Sequence, residues 1–118
     1  MACPCLAPDC ACASYHQGTP APDAAALMRS RYSAYALKLE DYLRATWHPD
    51  TCPADLALSE VRWLGLEIKR HQSDSPGRAT VEFVARYKIG GRAHRLHEIS
   101  RFLRVDGKWL YVDGVFPA

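Results

Sequence analysis

Residues 78–114, RATVEFVARYKIGGRAHRLHEISRFLRVDGKWLYVDG, contain three runs in which apolar and polar residues alternate. Gly90-Gly91 separates the first two runs and Asp106-Gly107 separates the last two. Such pairs are typical of two-residue hairpin turns, because both turn positions adopt positive φ. The stretch therefore predicts three consecutive antiparallel strands. Residues 61–70, VRWLGLEIKR, alternate in the same way and predict a fourth strand before them.

Two helical patterns precede the strands. Residues 20–39, PAPDAAALMRSRYSAYALKL, begin with proline and aspartate and then carry apolar residues at helical spacing. Residues 41–49, DYLRATWHP, predict a second, shorter helix that Pro49 ends. Helices that precede a run of hairpins predict an α+β fold, in which the amino-terminal helices pack on one face of a curved four-stranded antiparallel sheet.

A two-residue turn also predicts which residues face each other across a hairpin. The second hairpin places Phe83 opposite Glu98 and Val81 opposite Ser100. The third places Ser100 opposite Asp113 by the same count. One sheet face is then mostly apolar but also carries polar side chains, namely His94, Glu98, Ser100 and Asp113.

Carboxylates inside an apolar concavity must be paired, hydrogen-bonded or neutral, and such clusters are candidate sites. We therefore predict a catalytic set of Glu98, Asp113 and Ser100. The predicted ligand-binding residues around it are Arg31, Tyr35, Trp47, Phe83, His94 and Tyr111. Two structural alternatives stay open. A bulge would turn the acids toward solvent, or Glu98 would pair with Arg29 or Arg31 and pin the first helix to the sheet.

Four of the five cysteines lie in the first twelve residues, MACPCLAPDCAC. Four thiolates on a short loop suit tetrahedral zinc, and the two Cys-x-Cys pairs are poorly spaced for disulfides within each pair. We predict zinc as the cofactor, held by Cys3, Cys5, Cys10 and Cys12, with His16 as an alternative to one sulfur. A disordered, reactive cysteine tail is the other interpretation, and Cys52 is interpreted as a lone thiol.

The composition is that of a globular chain: 118 residues, 48% hydrophobic, 24% charged and a formal charge of +2. No apolar run approaches the roughly twenty residues that span a bilayer, so we expect a cytoplasmic protein with no membrane partner. Six basic residues lie between positions 86 and 104, yet a nucleic-acid role is disfavoured because aromatics do not accompany them. Apolar residues on the outer sheet face instead predict a homodimer through Val84, Ile99, Leu103, Leu110 and Val112.

Several strings, in order and at characteristic separations, resemble the YchJ family of bacterial proteins: CPC, LMRSRYSAY, TWHP, WLGLEI, VEFVARY and HEISRFLRVDGKWLYVDG. The resemblance implies a zinc motif similar to the SEC-C motif in residues 1–18. It also implies a nuclear-transport-factor-2-like cone in residues 19–118, with a pocket between helices and bent sheet. It brings no particular activity with it. The family's first motif resembles CPCGSG followed by two adjacent cysteines before YH, so Tyr15-His16 aligns Cys12 with the last ligand and leaves Cys10 one place out.

Three classes of function follow. A zinc-stabilised module that binds a small molecule or a protein partner is favoured, because the chain has no unmistakable catalytic set. A small enzyme would use Glu98 or Asp113 as general base, Ser100 or Tyr111 to orient the substrate and Arg31 to balance charge. A nucleic-acid-associated protein would use the arginines between 86 and 104.

Overall fold

The computed structural model describes Cys5, residues 10–56 and residues 61–117. Cys3 lies outside these residues. The described chain forms three helices and one four-stranded antiparallel sheet with strand order β1-β2-β3-β4. This confirms the predicted α+β fold. The elements are α1 (Cys12–His16), α2 (Ala24–Leu37), α3 (Glu40–Ala45), β1 (Arg62–Ser75), β2 (Arg78–Ile89), β3 (Arg92–Val105) and β4 (Lys108–Val115).

Helix α2 is the central helix. Asp23 caps its amino terminus, where the side chain accepts a hydrogen bond of 2.8 Å from the Ala26 amide. The helix ends at Lys38, whose φ of 59° is left-handed. Helices α1 and α3 and strands β1, β2 and β4 all contact α2, so it is buried on several sides. Its buried residues are Ala24, Leu27, Met28, Ser30, Arg31, Tyr32, Ser33 and Ala34.

The hairpin between β2 and β3 has the predicted register. Phe83 faces Glu98 and Val81 faces Ser100 without a shift along the whole pair. Strand β1 is longer than predicted, because it continues to Ser75, and its pairing with β2 shifts register in three places. Such shifts bend a strand and increase its twist. The sheet therefore curves around α2.

The pairing of β3 with β4 differs from the prediction beyond Tyr111. Phe102 faces Tyr111 as the turn requires, but Val112 is an extra residue, so Arg101 faces Asp113. Ser100 consequently faces Gly114. The prediction that Asp113 shares the concave face with Glu98 is therefore wrong, because a one-residue bulge reverses the faces of the residues that follow it.

The segment after α3 accounts for the position of this bulge. Trp47 forms an isolated parallel bridge with Tyr111. The Tyr111 amide donates to the Thr46 carbonyl and the His48 amide donates to the Tyr111 carbonyl, each at 2.8 Å. The Thr51 hydroxyl then donates to the Val112 carbonyl at 2.7 Å. This segment thus provides hydrogen-bond partners for the backbone groups of Tyr111 and Val112 on the free edge of β4, where the bulge lies.

The concave face of the sheet forms one core with α2. The buried side chains of this core are mainly aliphatic and aromatic. None of the helices in the described ranges is long and apolar enough to cross a bilayer. Cys5 and Cys12 belong to the same cluster, and Cys10 packs against it. Its buried members are Cys5, Cys12, Ala24, Leu27, Met28, Tyr32, Ala79, Val81, Phe83, Ala85 and Phe102.

Candidate functional site

The cysteines that the structure describes at the amino terminus converge. The sulfur atoms of Cys5, Cys10 and Cys12 all lie within 4.8 Å of one another. Cys5 and Cys12 are 1% exposed and their sulfurs are 3.8 Å apart. Helix α1, which the sequence did not predict, begins at Cys12 and turns its sulfur inward toward Cys5.

The cluster fits a zinc ion. Four sulfurs at about 2.3 Å from tetrahedral zinc lie about 3.8 Å from one another, which is the separation of the Cys5 and Cys12 sulfurs. Thiolates are also the ligands that structural zinc prefers. Among the residues that the structure describes, three are placed to act as ligands, and Cys3 lies outside that part.

His16 has a different position. Its Nε2 atom lies 2.8 Å from the Ser30 carbonyl oxygen, so this nitrogen donates there. The imidazole also packs edge-on against Tyr42, with ring centroids 4.8 Å apart. In the described ranges the group of atoms placed to hold a metal contains the three sulfurs and not the His16 ring. His16 instead joins α1 to α2 and α3.

A second feature is a cavity of about 230 Å³ between α2 and the concave face of the sheet. Its walls are largely aromatic and aliphatic, and its ionisable side chains include one cation, Arg31, and one carboxylate, Glu98. Both are buried, at 2% and 8% exposure. The remaining wall consists of Met28, Tyr32, Tyr35, Trp63, Phe83, Ala85, Leu96 and Tyr111.

Arg31 is held by neutral groups. Its Nη1 atom donates to the Leu43 carbonyl at 2.9 Å and to the Thr46 hydroxyl at 2.7 Å, which caps the last turn of α3. The guanidinium carbon lies 4.9 Å from the ring centroid of Trp47 and 4.7 Å from that of Tyr111, within the range of cation–π attraction. Burial lowers the pKa of Arg31 from its usual value, yet a guanidinium stays protonated at neutral pH.

Glu98 is the centre of a small hydrogen-bond network. The Ser100 hydroxyl donates to its Oε2 at 2.5 Å, and the Tyr111 hydroxyl donates to the same oxygen at 3.1 Å. Burial and the adjacent Glu98 charge both raise the pKa of Tyr111 far above its ordinary value. Tyr111 therefore stays a neutral donor. No ion pair joins Glu98 to Arg29 or Arg31 within the described chain, although such a pair was one interpretation of the sequence.

Asp113 lies on the opposite face of the sheet. Both of its carboxylate oxygens accept from Arg101, one of them from Nε at 2.6 Å, and both side chains are largely exposed. The hydrogen bond from Arg101 lowers the pKa of Asp113. The cavity thus contains one of the two carboxylates that the sequence predicted there.

Some of the other predicted site residues line the cavity, and others lie outside it. Tyr35, Phe83 and Tyr111 line the cavity. Trp47 stands behind Arg31, and its buried Nε1 has no hydrogen-bond partner in the described part of the chain. His94 is exposed and stacks on Tyr87, with ring centroids 5.3 Å apart, at the far end of the hairpin.

Sequence reasoning missed two residues that shape the site. Trp63 from β1 closes one wall and packs against the rings of Tyr32, Tyr35 and Tyr87. Gly114 lies against Glu98: a Cβ atom there would be 2.2 Å from Oε2 and 2.8 Å from Cγ. The alternating pattern of β1 could have indicated Trp63, whereas the close approach at Gly114 depends on the bulge.

Gly114→Ala is expected to lower the free energy of unfolding by about 1–3 kcal/mol. The added methyl group would push the Glu98 carboxylate away from its hydrogen bonds with Ser100 and Tyr111. Urea unfolding measures the loss. In a Glu98→Ala background the same substitution should cost much less, because the clashing atoms are gone; equal costs in both backgrounds would contradict the packing described.

The pH dependence of Asp113 provides a separate check on the bulge. Because its folded pKa lies below the unfolded value of about 4, the pair with Arg101 stabilises the fold above that pH, and this small contribution is lost as the pH falls through the folded pKa. Carbon-detected NMR titration should give a pKa below the ordinary range, and Arg101→Gln should return it to that range. A raised pKa would place Asp113 beside another carboxylate and contradict the register.

The apolar side chains of the outer sheet face are less exposed to water than the sequence predicts. Val84 is fully buried, and Ile99, Leu103, Leu110 and Val112 are half-buried. Polar pairs flank them, among them His97 and Glu82, whose Nε2 and Oε2 atoms are 2.6 Å apart. Association into a homodimer through this face stays a prediction.

Known proteins resemble the chain over its length. Residues 23–114 match the family described as YchJ, middle NTF2-like domain. A UPF0225 protein from Ralstonia nicotianae is 57% identical, covering 96% of this chain and 90% of its own. One from Chromobacterium violaceum is 56% identical, covering 97% and 92%.

Two solved structures share the fold. The solution structure of a SEC-C motif containing protein from Rhodopseudomonas palustris has 35% identity and a TM-score of 0.86, over 100% of both chains. The crystal structure of a SEC-C motif containing protein from Psychrobacter arcticus has 29% identity and a TM-score of 0.83, over 100% of this chain and 84% of that one. With the match over residues 23–114, these likenesses show that the chain belongs to the YchJ family and that its helices and sheet form an NTF2-like domain.

Proposed function

We propose that this protein is a zinc-stabilised binding protein whose cone-shaped domain holds a small molecule in the cavity between α2 and the sheet. The observation that carries the proposal is that Arg31 and Glu98 line one apolar cavity, both buried, without pairing with each other. A buried charge is costly unless it is paired. A ligand that contacts both groups would supply the charged and hydrogen-bonding partners that the described residues do not give them as an ion pair.

The shape of the cavity supports the same function. Binding sites for small molecules are concave, mostly apolar and equipped with a few convergent polar groups. The wall here has that composition, and its polar atoms come from rigid elements: Arg31 and Tyr35 from α2, Glu98 from β3 and Tyr111 from β4. Such a site would be preorganised, which lowers the entropic cost of binding.

Zinc has a structural part in this proposal. Cys3 would complete the set of Cys5, Cys10 and Cys12, and four thiolates leave no open position for a substrate. The bound metal would fix Cys5 and Cys10 to Cys12 at the start of α1. Because Cys5 and Cys12 share the buried cluster with Leu27 and Met28, the metal would also stabilise the wall of the cavity.

An enzymatic role for the same cavity rests on Glu98. A buried carboxylate that accepts hydrogen bonds from Ser100 and Tyr111 is equipped to take a proton from a bound substrate. The separation of Asp113 from the cavity leaves this role to Glu98 alone among the predicted acids. Turnover that Glu98→Gln abolishes while binding persists would establish the enzyme.

Filling the cavity tests the proposed binding function. Leu96→Phe adds volume inside the cavity, so we expect it to weaken ligand binding at least tenfold while the melting temperature changes little. Leu103→Phe adds the same volume on the outer face of β3 and serves as the matched control. Tryptophan fluorescence, to which Trp63 in the cavity wall contributes, reports binding of small aromatic probes. Equal affinities in both variants would place binding elsewhere.

A further inference from the structure

We propose that the cavity selects a small planar aromatic carboxylate with a hydrogen-bond donor at the end opposite to the acid group, the carboxylate facing Arg31 and the donor facing Glu98. The inference rests on the proposed binding function and names the chemical class of its ligand.

The charge balance at Arg31 indicates an anion. The guanidinium is more deeply buried than the Glu98 carboxyl group, and the described groups that contact it are neutral: a carbonyl, the hydroxyls of Thr46 and Tyr35, and two aromatic rings. Its fork has five N–H donors, and the hydrogen bonds to Leu43 and Thr46 both come from Nη1. A carboxylate matches the remaining donors in geometry and charge.

Glu98 has the opposite requirement. Ser100 and Tyr111 already donate to one of its oxygens, Oε2. A carboxylate has about four lone-pair sites, so it can accept a further hydrogen bond from a ligand. A hydroxyl or amino group satisfies this acceptor, whereas a second acid group would be repelled by it.

Tyr111 sets the spacing between the two ends. Its ring packs on the Arg31 guanidinium, and its hydroxyl donates to Glu98. The guanidinium carbon lies over the face of this ring, 4.7 Å from its centroid, whereas Glu98 Oε2 lies beyond the hydroxyl, 3.1 Å from it. The two charged groups are therefore kept apart by the hydroxyl side of one ring, and a ligand needs an acid and a donor that are likewise kept apart, as they are on opposite sides of an aromatic ring.

The lining and the volume of the cavity limit the ligand to a small aromatic molecule. Five aromatic side chains contribute to the lining and favour a flat, unsaturated ring, since aromatic pairs add stabilisation beyond their buried area. The cavity of about 230 Å³ holds on the order of ten non-hydrogen atoms, because a water molecule occupies about 30 Å³ in the liquid. The set of lining rings is Tyr32, Tyr35, Trp63, Phe83 and Tyr111.

Calorimetric titration of the full, zinc-loaded chain with four probes tests this inference. 4-Hydroxybenzoate has the acid and the donor, benzoate only the acid, phenol only the donor, and 4-hydroxybenzylamine a cation in place of the acid. We expect 4-hydroxybenzoate to bind at least tenfold more tightly than phenol and several-fold more tightly than benzoate. The amine should bind most weakly of the three hydroxylated probes.

Glu98→Gln provides an internal control because it removes the negative charge and keeps the shape. We expect this variant to bind benzoate more tightly than the original chain does, and to lose part of its preference for 4-hydroxybenzoate over benzoate. The measurement does not use Arg31 variants. These would misfold more readily because they lose the hydrogen bonds that cap the last turn of α3.

Each other outcome overturns the inference in a recognisable way. If phenol or the amine binds as tightly as 4-hydroxybenzoate, the ligand class is wrong while the binding function stands. If benzoate equals 4-hydroxybenzoate in both the original chain and Glu98→Gln, the donor end is wrong. If none of the four probes binds, and if no other aromatic probe binds the original chain more tightly than it binds Leu96→Phe, the binding function itself fails.

Discussion

Removing zinc from the reduced protein with a chelator is expected to lower the melting temperature of the whole domain by roughly 15 °C. When free zinc exceeds its dissociation constant about a thousandfold, metal binding adds about 4 kcal/mol to stability, and a chain of this length loses roughly 4 °C per kcal/mol. The effect should reach the sheet because Cys5 and Cys12 are buried in one cluster with Leu27, Ala79 and Phe102.

Two cysteine variants separate the metal from the thiols. Cys12→Ser should lose zinc and show the lower melting temperature even without chelator. Cys52→Ser is the matched control, since Cys52 lies outside the cluster, with its sulfur 3.6 Å from the Pro53 carbonyl oxygen; it should keep its zinc and respond to chelator like the original chain. Retention of zinc and full stability in Cys12→Ser would contradict the metal site.

Arg31→Gln is expected to lower the free energy of unfolding by about 2–4 kcal/mol. The substitution removes charge-assisted hydrogen bonds to Leu43 and Thr46, each worth about 1.5–3 kcal/mol, and the cation–π contacts with Trp47 and Tyr111. Part of this loss is offset because a buried cation is no longer desolvated. Urea denaturation followed by circular dichroism measures the change.

Arg29→Gln is the control for this substitution. Arg29 is half-buried on the same helix, and the structure gives it no hydrogen bond or ion pair among the described residues. Its replacement should change the free energy of unfolding by less than about 0.5 kcal/mol. Similar losses at both positions would mean that Arg31 contributes no more than an ordinary helix residue.

The sequence predicts the hairpins well because their determinants are local. The Gly90-Gly91 and Asp106-Gly107 turns favour positive φ, which the structure has at all four residues. The register of β2 with β3 follows from the first turn. This register brings Glu98 and Ser100 to the concave face beside Phe83 and Val81, as predicted.

The position of Asp113 could not be predicted in the same way. The bulge at Val112 is accompanied by a hydrogen bond from Thr51, 61 residues away in the chain, and by the bridge between Trp47 and Tyr111. Contacts of such long range leave no trace in the alternation of β4. The pairing of Asp113 with Arg101 and the role of Gly114 both depend on that bulge.

The packing of the described amino-terminal residues, Cys5 and 10–16, is likewise a tertiary property. These residues show no helical period, yet Cys12–His16 forms α1, whose His16 contacts Ser30 and Tyr42. The residue types and their spacing were enough to predict a cluster of thiols that could bind a metal, because ligand chemistry depends on residue type. They were not enough to predict that Cys5 and Cys12 would become part of the core of the domain.

Methyl-detected NMR during a titration with 4-hydroxybenzoate tests the central claim, that the cavity beneath α2 is a ligand site. Met28, Ala85 and Leu96 report from its wall, and Val84, Leu103 and Leu110 report from the opposite face of the sheet. We predict that the first three signals shift along one saturating curve while the others stay in place. Shifts of equal size on both faces, or no shift in the cavity methyls with any of the four probes, would contradict the account.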